Sequence, residues 1–138
     1  SSKYWEVDAG GVDDFTVKFG QDIAAFGFYG IDIGDYGGQL SLDLLDTSNN
    51  IIKSLTVNNS IGSNGSTDGS VLYFGVIAGS ASEQFRSIRF NTTRGGGDIF
   101  AFDDFTIAEQ RQVTIPEPAS LALVAAALLG LGLARRRA

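Results

Sequence analysis

Gln39-Leu40-Ser41-Leu42-Asp43-Leu44 decides the fold of this chain. Leucine alternates with a polar residue at every step, so one side of an extended strand is greasy and the other is wet. That is the signature of an antiparallel sheet with one face on a core and one in solvent. Runs rich in β-branched and aromatic residues recur on both sides of it. Strands are expected near residues 4–7, 15–19, 24–31, 39–45, 51–57, 71–77, 85–90 and 99–107, about eight in all. Turn material separates them: Gly10-Gly11, Gly37-Gly38, Ser48-Asn49-Asn50 and Gly95-Gly96-Gly97. Residues 58–70 (NNSIGSNGSTDGS) read as a long solvated loop. Phe85-Arg86-Ser87-Ile88-Arg89-Phe90 alternates less well. Apolar residues at 85, 88 and 90 require a bulge or a switch of face.

No stretch before Ala119 carries a 3.6-residue apolar period with caps. Many short strands, Gly-rich turns and no helix point to an all-β domain. The expected architecture is a jelly-roll-like β-sandwich over residues 1–108, with a closed barrel as the alternative.

Composition limits the chemistry. The 138 residues include 18 Gly, 2 Pro, and no Cys or His. Cysteine nucleophiles, Ser-His-Asp triads, disulfides and the usual zinc and haem ligand sets are therefore excluded. The net charge is −6, which argues against any nucleic-acid partner held by phosphate contacts. Sixteen acids make accidental carboxylate pairs easy, yet none stands out as a glycoside-hydrolase pair across a cleft. The domain is expected not to be an enzyme.

The chain changes character near Ile115. All ten Phe, four Tyr and the Trp lie at or before Phe105. Residues 1–115 hold 15 acids against 7 bases, a net of −8, whereas residues 116–138 hold one acid and three bases, a net of +2. Residues 109–115 read as a linker. Residues 119–134 contain no charge and one polar side chain, Ser120. As a helix these 16 residues span roughly 24 Å at ~1.5 Å per residue, a little short of a bilayer core. Arg135, Arg136 and Arg137 can snorkel to recover reach, and they hold the positive end in the cytoplasm. A single C-terminal transmembrane helix is expected, with the acidic domain across the membrane. A buried core helix and a plain retained anchor are the competing readings.

Pro116-Glu117-Pro118, the apolar span and the terminal Arg cluster, in that order, resemble the PEP-CTERM sorting signal of Gram-negative bacteria. The resemblance implies that residues 116–138 hold an exported precursor in the inner membrane. It further implies exosortase as partner, with Pro116, Glu117 and Pro118 as the recognised residues, and the cell surface or exopolysaccharide matrix as destination. Proline restricts its own backbone and that of the residue before it, so this segment should stay extended for a protease. Residues 24–35 and 98–107 are similar to strands of a domain often found before such tails. That similarity also implies a fragment, because Ser1-Ser2-Lys3-Tyr4-Trp5 has no apolar export segment.

Two kinds of site are expected in the domain. Asp103-Asp104 near the end of the last strand, with Asp8 or the neighbouring Glu6, Asp13 and Asp14, form a candidate structural Ca2+ site. Adjacent carboxylates on a strand point to opposite faces, so a bulge or a cation must relieve one of them. Tyr36, among Gly and Asp, is the candidate ligand contact; Tyr4, Trp5, Tyr29 and Tyr73 are further candidates for stacking on sugar rings. Residues 32–35 could be a second oxygen-rich loop or a soluble turn.

The tail makes a direct prediction. In a host lacking the sorting protease, the full chain should fractionate with the membrane. In a host that has it, immunoblotting should show a smaller released form that disappears when residues 116–138 are deleted. An unchanged mass in both hosts would leave a simple anchor.

Overall fold

A computed structural model describes residues 3–9, 14–34, 36–59, 69–93 and 97–113. The sorting tail therefore lies outside the described residues, as do Asp13, Asp35 and most of the loop expected at 58–70. The described residues form eight strands: β1 (Trp5–Asp8), β2 (Phe15–Ile23), β3 (Ala25–Ile31), β4 (Leu40–Leu45), β5 (Ile51–Val57), β6 (Val71–Ile77), β7 (Phe85–Thr92) and β8 (Ile99–Ala108). Each matches an expected strand to within a few residues. The linker contributes a single helical turn, α1 (Gln110–Val113).

The pairing follows one rule. β1 pairs with β8, β2 with β7, β3 with β6 and β4 with β5, all antiparallel. The chain is thus one long hairpin, folded at the β4–β5 turn and rolled up on itself. Two further pairings, β3 with β8 and β4 with β7, close the roll into two sheets. Their orders are β1-β8-β3-β6 and β2-β7-β4-β5. This is jelly-roll connectivity. It is a sandwich rather than the alternative closed barrel, because each four-stranded sheet retains two edges among the described residues.

Parity explains the core. Leu40, Leu42 and Leu44 are all buried, as their alternation requires. From the other sheet, Phe26, Phe28, Phe100 and Phe102 face them. Phe28 meets Phe90 at 5.4 Å and Phe102 at 5.5 Å between ring centroids, both edge-on. Phe15 stacks on Phe90 at 4.4 Å.

Two irregularities preserve this parity. Opposite β7, the register jumps from Lys18↔Ser87 to Ile23↔Phe85. The disturbance that residues 85, 88 and 90 demand is thus carried by the partner strand. On β8, the step from Asp103 to Thr106 faces only the step from Tyr29 to Gly27. Asp104 sits in this bulge with a φ of 51°. A regular strand would aim Asp104 into the core after Phe102. The bulge moves it out and turns the ring of Phe105 against that of Phe26 at 5.6 Å, at the edge of the core, where Phe105 stays 42% exposed.

Phe28→Ala should therefore cost about 3–5 kcal/mol of unfolding free energy, measured by urea denaturation. Asp104→Gly should be neutral or stabilising, because glycine adopts this backbone freely, and Asp104→Val should destabilise.

Candidate functional site

The two outer faces differ in chemistry. On the β2-β7-β4-β5 sheet the outward row across the strands is Thr16, Arg89, Asp43 and Ser54. Asp43 accepts hydrogen bonds from Ser54 Oγ, Arg89 Nη2 (2.8 Å) and Asn91 Nδ2 (3.0 Å). It is almost wholly buried by these neighbours. The Ser54 hydroxyl, then the Arg89 and Asn91 donors, hold its carboxyl below the ordinary aspartate value, against a desolvation penalty in the other direction. This face is a satisfied polar knot.

The β1-β8-β3-β6 sheet presents a different surface. Its outward positions include Tyr29 and Tyr73, which are directly paired across β3 and β6. Their rings meet edge-on at 5.1 Å and form a ridge. Tyr73 Oη lies 3.0 Å from Thr106 Oγ1, which ties the ring across β3 to β8. That crossing needs Gly27 beneath it: a Cβ at residue 27 would lie 2.1 Å from Tyr73 Oη. A hollow of about 320 Å³ flanks the ridge on one side, floored by Gly27 and Gly75 and walled by Ile77 and Thr106. A second hollow of about 410 Å³ is lined by Tyr4, Glu6, Ile31, Asp32, Ile99 and Ala101.

The expected metal ligands are not brought together. Asp103 faces Tyr29 across β8 and β3, whereas Asp8 faces Ile99. Four residues along β8 separate these positions, about 13 Å at ~3.3 Å per residue. Asp104 is relieved by its bulge, and its backbone N–H donates to Asp103 Oδ1 at 2.8 Å. Among the described residues no group of three acids is placed to hold a metal ion. Asp14 instead accepts the Thr92 backbone N–H at 2.8 Å. Tyr36 is highly exposed but lines neither hollow. Asp32 accepts the Gly69 N–H at 2.7 Å and ties the end of β3 to the entry of β6.

Asp98 escapes the sequence reading. It is completely buried, and its Oδ2 accepts the N–H groups of Gly38 (2.8 Å) and Tyr36 (3.3 Å). Its carbonyl accepts the Ala9 N–H at 2.8 Å. One residue thus pins the turn before β4 to the end of β1. Nothing in Gly95-Gly96-Gly97-Asp98 distinguishes this acid from any turn acid.

Comparison with known proteins adds one identification. Residues 114–137 match the PEP-CTERM protein-sorting motif. That motif implies an exported protein, processed at the membrane by an exosortase. No curated protein is similar to the chain. Among solved structures, T=1 particles derived from infectious bursal virus align with 93% of this chain and 47% of their own, at 12% identity. The chain thus spans about half of that relative's length, and the TM-score of 0.20 carries no structural argument. Among the described residues no helix is long and apolar enough to cross a membrane; the PEP-CTERM segment is not among them.

The Asp43 knot yields a pH prediction. Its carboxyl is lowered on folding, so its contribution is complete above the ordinary value of 3.8 and is lost as pH falls through the lowered folded value. Asp43→Asn should therefore be less stable than wild type at pH 7. The gap in urea midpoint should narrow at pH 3 and below; a gap that does not change with pH would remove the carboxylate from the account.

Proposed function

We propose that this is an exported, non-enzymatic protein of the cell surface or extracellular matrix, with the jelly roll as its adhesive module. Delivery rests on the PEP-CTERM motif. Adhesion rests on the contrast between the two outer faces. One is a closed polar knot, and the other leaves a tyrosine ridge and two hollows open to solvent. Aromatic and aliphatic side chains grouped on one exposed sheet face suit contact with a partner.

The ridge also favours a specific reading, that of a carbohydrate-binding module. A tyrosine face stacks on the apolar side of a pyranose ring, and the glycine floor lets a flat ring approach. Asp103, beside Tyr29, offers carboxylate oxygens to sugar hydroxyls. The net charge of −8 over residues 1–115 disfavours acidic polysaccharides and favours neutral ones. Here Tyr29 and Tyr73 join Tyr36 as candidate ligand contacts.

Affinity electrophoresis against neutral β-glucan, xylan and alginate tests this reading. Retardation is expected on a neutral glycan. Tyr29→Ala and Tyr73→Ala should each weaken it by about tenfold, or ~1.4 kcal/mol. No glycan should be hydrolysed. Turnover of any of them would overturn the non-enzymatic assignment. Absence of retardation would remove the sugar reading and leave the surface protein.

A further inference from the structure

The four edge strands are unequally defended. β1 is short and carries Glu6 and Asp8. β2 carries Lys18 and Asp22 and is broken by its register jump. β5 carries Lys53, and its pairing slips between Leu44 and Leu45. Charges, shortness and bulges are the devices that keep sheet edges from pairing with other chains. β6 has none of them. Its sequence, Val71-Leu72-Tyr73-Phe74-Gly75-Val76-Ile77, has no charge and no proline. Its register with β3 is unbroken over seven pairs. Along its outward face Val71, Tyr73 and Ile77 are 60%, 55% and 69% exposed. Its inward residues Leu72, Phe74 and Val76 are only partly buried against the core.

We propose that the β6 edge pairs with β6 of a second copy of this chain, giving a two-fold dimer with one continuous eight-stranded sheet. The strand is complementary to itself when run antiparallel about Phe74. Val71 then faces Ile77, Leu72 faces Val76, and Phe74 faces Phe74. Tyr73 faces Gly75, and because its ring leans over Gly27 towards Thr106, away from this edge, no two bulky side chains are opposed there. No like charges are opposed along the strand. The pairing supplies partners to the outer row of backbone groups, which faces no strand among the described residues, and covers the apolar residues that the single sandwich leaves half-open. The opposite edge of the same sheet, β1, is acidic, so growth stops at two. A two-fold axis perpendicular to the sheet puts both tyrosine ridges on one side of the dimer. The pairing does not depend on what the ridges bind.

Sedimentation of the full chain in detergent tests the proposal. Wild type should be a dimer, and V71K/I77K should be a monomer with an unchanged far-UV circular dichroism spectrum, because both side chains are more than half exposed. The chain has no cysteine, so a disulfide can be placed cleanly. V71C/I77C should give a covalent dimer on mild oxidation, and K18C, on the β2 edge, should not. The cysteine pair decides the matter if the lysine variant does not fold. A monomeric wild type, a dimer that survives V71K/I77K, or equal cross-linking by K18C would overturn the proposal. Each of those results would assign the edge to another occupant or any self-association to the tail.

Discussion

The meeting of Phe28, Phe90 and Phe102 fixes this sandwich. Their ring centroids lie 5.3–5.5 Å apart in the space between the sheets. The three rings come from strands that pair in different sheets, β3 and β8 in one and β7 in the other. Each must point inward, and each strand must accept the parity that this imposes. Where the sequence cannot supply that parity, the backbone yields. β2 shifts its register and β8 bulges at Asp104, at the expense of a left-handed aspartate. Burial of an aromatic ring is worth several kcal/mol and one strained residue costs ~1–3, so the bulge is the cheaper solution.

The same accounting explains what could be read in advance. Leu40, Leu42 and Leu44 announce an inward face because nothing competes with period two there. The awkward spacing of Phe85, Ile88 and Phe90 announces an irregularity, although not that β2 carries it. Asp103-Asp104 announces a conflict between strand parity and charge; a bulge and a cation both resolve it on paper, and the backbone resolves it in the structure. Strand order was illegible, since it depends on contacts between residues far apart in sequence. The role of Asp98 was illegible for a related reason. Its partners, Gly38, Tyr36 and Ala9, are backbone N–H groups, and a backbone donor leaves no trace in a sequence. The ridge was visible only as its parts: Tyr29 and Tyr73 were separate candidates for stacking until the register set them side by side.

The two compositions of the chain match two environments. A net charge of −8 over residues 1–115 is repelled by an anionic membrane surface. The tail, with no acid after Glu117 and three terminal arginines, carries the opposite sign. The PEP-CTERM motif lies where the two compositions meet, over residues 114–137. Processing there would separate the apolar tail from a domain whose core leucines and phenylalanines are already packed between its sheets.

Tyr73 links the properties of the exposed sheet. Its hydroxyl is held by Thr106 over the bare backbone of Gly27, so the ring is fixed before any ligand arrives. Fixing it beforehand removes the side-chain entropy that binding would otherwise cost, about 0.5–1.5 kcal/mol for a mobile side chain. The same residue stands on β6, the edge strand with no charge to repel a neighbour. In the proposed dimer a ridge on the edge strand would be doubled by pairing at that edge, and two ridges on one face would hold a repeating polymer more tightly than one, because the second contact is intramolecular. Face and edge are thus compatible uses of one strand: the side chains of Tyr73 and Ile77 serve the surface, while the backbone that carries them is left for a second chain.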